Sequence, residues 1–113
     1  MATIGVKSEA VAKGVYKHTW TSLASGDGGA VADVAGHEIM SVQVEGTFAS
    51  GTTTIQGTND KSNYATVTDL NGNNLAFTAA GLDSIQQSVL GVRPSNSSTA
   101  SMAINVTVIS RKS

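Results

Sequence analysis

Residues 39–48 read IMSVQVEGTF, and this stretch decides the fold class. Its apolar side chains stand at positions 40, 42, 44 and 48, and polar side chains stand at 41, 43, 45 and 47. Successive side chains of a strand point to opposite faces, so this period of two predicts a β-strand with one buried face. Residues 102–109 (MAINVTVI) repeat the alternation, and in residues 15–21 (VYKHTWT) the side chains of Tyr16, His18 and Trp20 share one face.

Turn signals separate these strands. Residues 49–51 predict a short turn that makes residues 52–57 (TTTIQG) the hairpin partner of residues 39–48. The pair Asn71-Gly72 predicts a second tight turn, with a short strand before it and another after it.

Residues 84–92 are less regular. Ile85 and Val89 are four positions apart, which suits a helix. The β-branched residues that follow and Pro94 favour instead a strand that ends before the proline, because proline lacks the N–H that a sheet needs.

About seven strands, separated by turns every eight to twelve residues or so, are typical of a sandwich or barrel. We therefore expect an all-β chain: a single-domain antiparallel β-sandwich, jelly-roll or Ig-like, over residues 15–113. Residues 1–14 carry little periodicity between Gly5 and Gly14, and they predict an extended N-terminal arm. The expected core contains Trp20, Met40, Val42, Val44, Phe48, Ile55, Val67, Leu75, Phe77, Ile104, Val106 and Val108.

The composition argues against several functional classes. The chain has 113 residues, a formal net charge of −1 and no cysteine. The lack of a basic excess argues against nucleic-acid binding through phosphate contacts, and the lack of cysteine excludes disulfides and thiolate zinc sites. No apolar run approaches the roughly 20 residues of a membrane-spanning helix, and the first ten residues do not read as a signal peptide.

No motif predicts catalysis. His37 and Glu38, with Asp27 and Asp33 nearby, offer metal-ligand types, but their spacing matches no metal motif and a polar loop before a strand is the favoured interpretation. His18 is expected on a partly buried face. No serine stands in a GxSxG elbow. We therefore expect no enzymatic activity, no catalytic residues, no cofactor and no metal.

Two long stretches, residues 46–59 and 94–110, carry no charge. Edge strands are normally protected by charges, proline or bulges, so a neutral strand must be paired on both sides. Two alternatives remain open with nearly equal weight: these strands are buried between subunits, or they are central strands of their own sheets. Lysine at Thr54 or Asn105 distinguishes the two through the oligomeric state.

Several turn and strand motifs follow one another along most of the chain. They are Trp20 with Gly26-Asp27-Gly28, SVQVEGTF at 41–48, IQGTND at 55–60, VTD at 67–69, LAFT at 75–78, Arg93-Pro94 and VTV at 106–108. This series resembles the small virion proteins of tailed bacteriophages, of the capsid decoration (cement or head-stabilising) type. The resemblance implies a homo-oligomer, with a trimer favoured, that is made in the host cytoplasm and binds the outer capsid surface. It also implies a role in bridging neighbouring major capsid subunits, with no membrane or nucleic-acid partner.

The candidate interface residues combine the neutral strands with the basic start of the chain. An extended arm can add a strand to a neighbouring sheet, and its lysines suit an acidic partner. We expect deletion of residues 1–13 to leave the β core folded and to weaken head binding. The candidates for the capsid or subunit interface are Lys7, Lys13, Lys17, Thr52, Thr54 and Asn105.

Two alternative functions stay open. The turn Gly57-Thr-Asn-Asp60 resembles a turn of discoidin-like carbohydrate-binding modules, which makes a glycan a candidate partner. A tail or neck protein of the virion is the other alternative. Arg93 is expected to pair inside the fold with Asp69 or Asp83.

Overall fold

Strands account for all regular structure in residues 2–98 and 101–112, which the computed structural model describes. They begin with β1 (Thr3–Ile4), β2 (Lys7–Ala12), β3 (Val15–Ala24), β4 (Gly28–Gly29), β5 (Ala32–Asp33) and β6 (Ile39–Thr47). They continue with β7 (Thr53–Thr58), β8 (Ala65–Thr66), β9 (Ala76–Phe77), β10 (Gly81–Ile85), β11 (Gly91–Asn96) and β12 (Ala103–Arg111). No helix in these residues is long and apolar enough to cross a membrane.

The strands form two sheets. The five-stranded sheet has the order β10-β6-β12-β3-β2, and all its neighbours are antiparallel. The seven-stranded sheet has the order β1-β4-β11-β7-β8, with β5 also pairing with β11 and β9 with β7. The chain crosses repeatedly from one sheet to the other, so most strands that are neighbours in space are distant in sequence.

This order defines the type of sandwich. In one sheet β3 lies beside β12, which lies beside β6 and then β10; in the other, β4 and β5 lie beside β11, followed by β7 and β8. Two sheets wound in this way make a jelly roll. The predicted antiparallel sandwich is confirmed, and of the two expected forms the chain adopts the jelly roll.

The core lies between the sheets. Eleven of the twelve predicted core residues are buried, and Phe77 is partly buried against them. The alternation in β12 and β6 therefore selects the inward side chains correctly. The core also contains buried side chains that the expected core did not include: Leu23, Ala32, Val34, Ile85, Val92 and Met102.

The predicted hairpin between β6 and β7 is wrong. The turn at residues 49–51 is present, but β6 pairs with β10 and β12 in one sheet and β7 pairs with β11 in the other. Ala49 and Ser50 have positive φ values of 49° and 67°, and the chain passes here from one sheet to the other. Val44 of β6 and Ile55 of β7 are both buried in the core between the sheets, so each strand meets this core from its own sheet.

The expectation that a strand ends before Pro94 is also wrong, because β11 runs through it. Pro94 lies opposite Ile55 on one side. On the other side, β5 pairs with Val92 and β4 pairs with Ser95, so the neighbouring strand is interrupted opposite the proline. A residue without an N–H is tolerated at such an interruption.

The start of the chain is extended, as expected, but it is paired within the sandwich rather than forming a free arm. β1 pairs in parallel with β4, and β2 forms an edge of the five-stranded sheet along β3. The Ala2 backbone N–H donates to a buried Asp27 carboxylate oxygen at 2.9 Å. A deletion of residues 1–13 would therefore remove strands from both sheets.

The neutral strands have partners on both sides. β12 lies between β3 and β6, and β7 lies between β11 and the short strands β8 and β9. Both strands are therefore central strands of their own sheets, and burial of their outer faces between subunits stays a prediction. The edges of the five-stranded sheet carry charge instead: Lys7 and Glu9 stand on β2, and Asp83 stands on β10.

Candidate interaction surface

The six candidate interface residues do not form one patch. Lys7, Lys17 and Asn105 belong to the five-stranded sheet, and Lys13 lies in the turn that joins β2 to β3. Thr54 belongs to β7 of the other sheet, and Thr52 lies directly before β7, where its backbone N–H donates to the Ser97 hydroxyl at 3.0 Å. The structure thus divides the candidates between two opposite sides of the sandwich.

The outer face of the five-stranded sheet is the larger of the two continuous surfaces. One row across it runs Leu82, Gln43, Thr107, Thr19 and Lys7, each residue opposite the next in the register. With strands about 4.8 Å apart and a rise of about 3.4 Å per residue, this face measures on the order of 600 Å².

Its chemistry is mostly neutral and polar. Thr107 and Asn105 are half-buried on the central strand, and Leu82 at one edge is 72% exposed. At the other edge, the Lys17 ammonium lies 3.5 Å from the Glu9 carboxylate. Both side chains are well exposed, so this ion pair contributes at most about 1 kcal/mol to stability. Between Leu82 and Lys7 the central row carries no charge, so it can contact another protein without burying an unpaired charge. Glu45 lies beside this row, opposite Asn105.

A chain of hydrogen bonds links two histidines where the sheets meet. The Ser110 hydroxyl lies 2.9 Å from His18 Nε2, and it is also hydrogen-bonded to His37 Nδ1. The other nitrogen of His18 bonds to the Ser8 hydroxyl at 2.8 Å. A hydroxyl has one proton, so Ser110 donates to one imidazole and accepts from the other when both are neutral.

Burial sets the charge state of this pair. It lowers the pKa of His18, which the nearby His37 lowers further, while Asp33 acts in the opposite direction. Burial likewise lowers the pKa of His37, Lys112 adds to the effect, and Asp33 again opposes it. Both imidazoles are therefore held neutral at pH 7.

The expected face shared by Tyr16, His18 and Trp20 is present, but the partners of His18 were not predicted. His18 is buried, as expected, and Tyr16 stacks on His37 with ring centroids 5.0 Å apart. Ser110 continues the inward series of β12 by one step beyond the predicted strand end. Ser110, a polar residue at an inward position, was the sequence signal from which this buried hydrogen-bond network could have been predicted.

The histidines do not gather metal ligands. Within residues 2–98 and 101–112, no three His, Cys, Asp or Glu side chains come together in a way that could hold a metal ion. Asp27, one of the four residues considered in the sequence, instead accepts hydrogen bonds from the backbone N–H groups of Ala2 and Ala24.

Arg93 has different partners from those expected. Its Nε donates to Gln56 Oε1 at 2.9 Å, and its guanidinium lies 3.4 Å from the centroid of the Tyr64 ring. The predicted pairing is wrong for a physical reason. Asp69 caps its own turn by accepting from the backbone N–H groups of Asn71 and Asn73. Asp83 lies on β10 of the opposite sheet.

The topology alone defines the jelly-roll class, and a solved structure shares the fold of this chain. No family model and no curated protein matches the sequence. Among solved structures, the SPBc2 prophage-derived protein YomS has the same fold: the TM-score is 0.65, with 13% identity over 90% of this chain and 98% of that one.

Two further structures are more distant. The Schizosaccharomyces pombe Cnp3 cupin domain has a TM-score of 0.49 and 9% identity, over 96% of this chain and 60% of that one. A cupin domain from Bordetella pertussis has a TM-score of 0.42 and 12% identity, over 98% of both chains. At these scores neither structure supports a functional argument.

Proposed function

We propose that this chain is a non-enzymatic structural protein of a phage virion that decorates the outside of the head. The observation that carries the proposal is the fold, which is shared over nearly the full length of both chains with a protein of prophage origin. The ordered turn motifs that resemble cement proteins point to the same class. Its partners are then the major capsid protein and further copies of itself.

The outer face of the five-stranded sheet is the proposed contact surface. A standard interface buries about 800 Å² per partner. The face supplies on the order of 600 Å² of that area, and the exposed β2 edge beside it supplies more. Lys7, Lys17 and Asn105 belong to this surface, whereas Thr52 and Thr54 lie on the other side of the sandwich.

Thr107→Lys tests this assignment at the centre of the face, where Gln43 and Thr19 flank the position. A lysine there places a charge in the interface, and burying it unpaired weakens binding. We expect co-sedimentation with heads of the encoding phage, prepared without this chain, to fall at least about tenfold in affinity. Because Thr107 points outward, the unfolding temperature should stay near the wild-type value.

Thr54→Lys is the matched control, because Thr54 stands at a half-buried position of the opposite sheet. It should bind heads as the wild type does. Native mass spectrometry at micromolar concentration adds the oligomeric state, with a trimer expected. Loss of binding in Thr54→Lys with normal binding in Thr107→Lys would place the interface on the other sheet, and failure of the wild type to bind heads would reject the decoration role.

A further inference from the structure

A pocket of about 320 Å³ lies beside the seven-stranded sheet, between the loop after β7, strand β8 and residues 87–89. Its polar lining includes Asn59, Asn63, Tyr64, Thr66 and Gln87, and none of the described residues that line it carries a formal charge. The size is at the small end of the range of about 300–1,000 Å³ for ligand pockets. A small neutral ligand fits this lining better than an ionic one.

The loop that forms one wall is fixed by Asp60. Its carboxylate accepts from the backbone N–H groups of Ser62 and Asn63, at 2.9 and 2.8 Å, and from the Asn63 side-chain amide at 2.8 Å. These bonds lower the pKa of Asp60, with those from Asn63 and Ser62 backbone the largest causes. The Thr58 hydroxyl also accepts from the Lys61 N–H at 2.8 Å. A wall built before binding loses little conformational entropy when a ligand arrives.

The aromatic wall is fixed as well. Tyr64 carries the Arg93 guanidinium on its ring, and Gln56 holds the Arg93 Nε. The cation is thus directed onto the tyrosine rather than into the pocket. Tyr64 lines the pocket and Arg93 does not, so the part of the ring that the guanidinium leaves uncovered offers a rigid apolar surface beside the polar groups.

Polar groups on the pocket wall are free to bind. In the part of the chain that the structure describes, the Asn59 amide and the Thr66 hydroxyl make no hydrogen bond, and Asn63 uses only its amide nitrogen. Together they offer both donors and acceptors. Sugar hydroxyls both donate and accept, so amides and hydroxyls of this kind match them.

From these contacts we propose that the pocket binds a neutral hexose-based glycan, of one or two sugar units. The apolar face of a sugar ring packs on Tyr64, and its hydroxyls bond to Asn59, Asn63 and Thr66. This inference is independent of head binding, because the pocket lies away from the outer face of the five-stranded sheet.

The test is an NMR titration of the full chain with four probes: methyl α-D-glucopyranoside, methyl α-D-galactopyranoside, maltose and lactose. At least one should shift the side-chain amide signals of Asn59 and Asn63 saturably, with a Kd in the millimolar range. Asn59→Ala and Thr66→Val should each weaken that Kd by about three- to tenfold, since each removes one hydrogen-bonding group.

Asn71→Ala is the matched control, an exposed asparagine in the Asn71-Gly72 turn outside the pocket, and it should leave the Kd unchanged. The same spectra show whether each variant is folded. The proposal is overturned if none of the four sugars shifts pocket signals saturably. It is also overturned if the Kd is the same in the folded Asn59→Ala and Thr66→Val variants as in the wild type.

Discussion

Gly46→Ala is expected to lower the stability of the fold by about 3 kcal/mol or more. Gly46 lies in β6 at a φ of 124°, a conformation that residues with a side chain rarely adopt. A Cβ there would stand 2.1 Å from the Ala103 carbonyl oxygen and 3.1 Å from the Ile104 Cα. These are backbone atoms of the central strand β12, so the clash is relieved only by moving β12 away from β6.

Thermal unfolding followed by circular dichroism measures this effect, and we expect the Tm to fall by more than about 10 °C. Gly36→Ala distinguishes the cost of the backbone conformation from the cost of the clash with β12. Gly36 also has a positive φ, of 80°, but nothing lies within 4 Å of its Cβ position. That variant should lose only about 1–2 kcal/mol. Equal losses in the two variants would show that the contact with β12 does not matter.

The stability of the protein is expected to fall as the pH is lowered from 7 towards 5. His18 and His37 both have a pKa below the ordinary value of 6.5 in the folded state. The unfolded chain therefore takes up protons at a higher pH than the folded chain does. The stability is complete above pH 6.5 and is lost as the pH falls below it, by at most about 1.4 kcal/mol per pH unit for each histidine.

The groups that face His18 and His37 explain why both pKa values are lowered. His18 on β3 meets Ser8 of β2 and Ser110 of β12, and His37 meets Tyr16 and Ser110. Lys112 adds positive charge beside them, and Asp33 is the nearby anion that opposes the shift. Protonating both rings would place two cations in a buried site. The exposed Asp33 carboxylate, which already pairs with Lys61 at 3.7 Å, does not compensate for this.

Urea unfolding at several pH values measures how steeply the free energy of unfolding changes with pH. In the double variant His18→Gln, His37→Gln the slope between pH 6.5 and 5 should become nearly flat, whatever the absolute stability of that variant. Lys17→Gln is the control: it removes an exposed charge on β3, the strand that carries His18, and it should keep the pH dependence of the wild type. If the double variant retains that pH dependence, other groups govern the acid sensitivity.

The sequence patterns predicted the faces of the strands well and their partners poorly. Alternation in β6 and β12 identifies which side chains are buried, because the period of two is a local property. Pairing is not local: the turn at residues 49–51 has the same appearance whether the next strand joins the same sheet or the opposite one. Pro94 was misread for the same reason, since the interruption that accommodates it lies between β4 and β5, far away in the sequence.

The candidate surfaces follow the same division. The outward positions of Lys17 and Asn105 could be predicted from parity, but their separation from Thr52 and Thr54 depends on which sheet each strand joins. The pocket beside Tyr64 depends on Arg93 and Gln56, which are 37 residues apart. No local pattern indicates that these side chains meet.

The position of β12 has a consequence for how the chain folds during synthesis. β12 is made after the other eleven strands, yet it lies in the middle of its sheet, between β3 and β6. Until it leaves the ribosome, the β2-β3 pair and the β6-β10 pair have no strand to join them. The nascent chain must therefore carry two unclosed half-sheets, each with an open apolar face, and long-range pairing of this kind folds slowly. We therefore expect the five-stranded sheet to close only once β12 has left the ribosome.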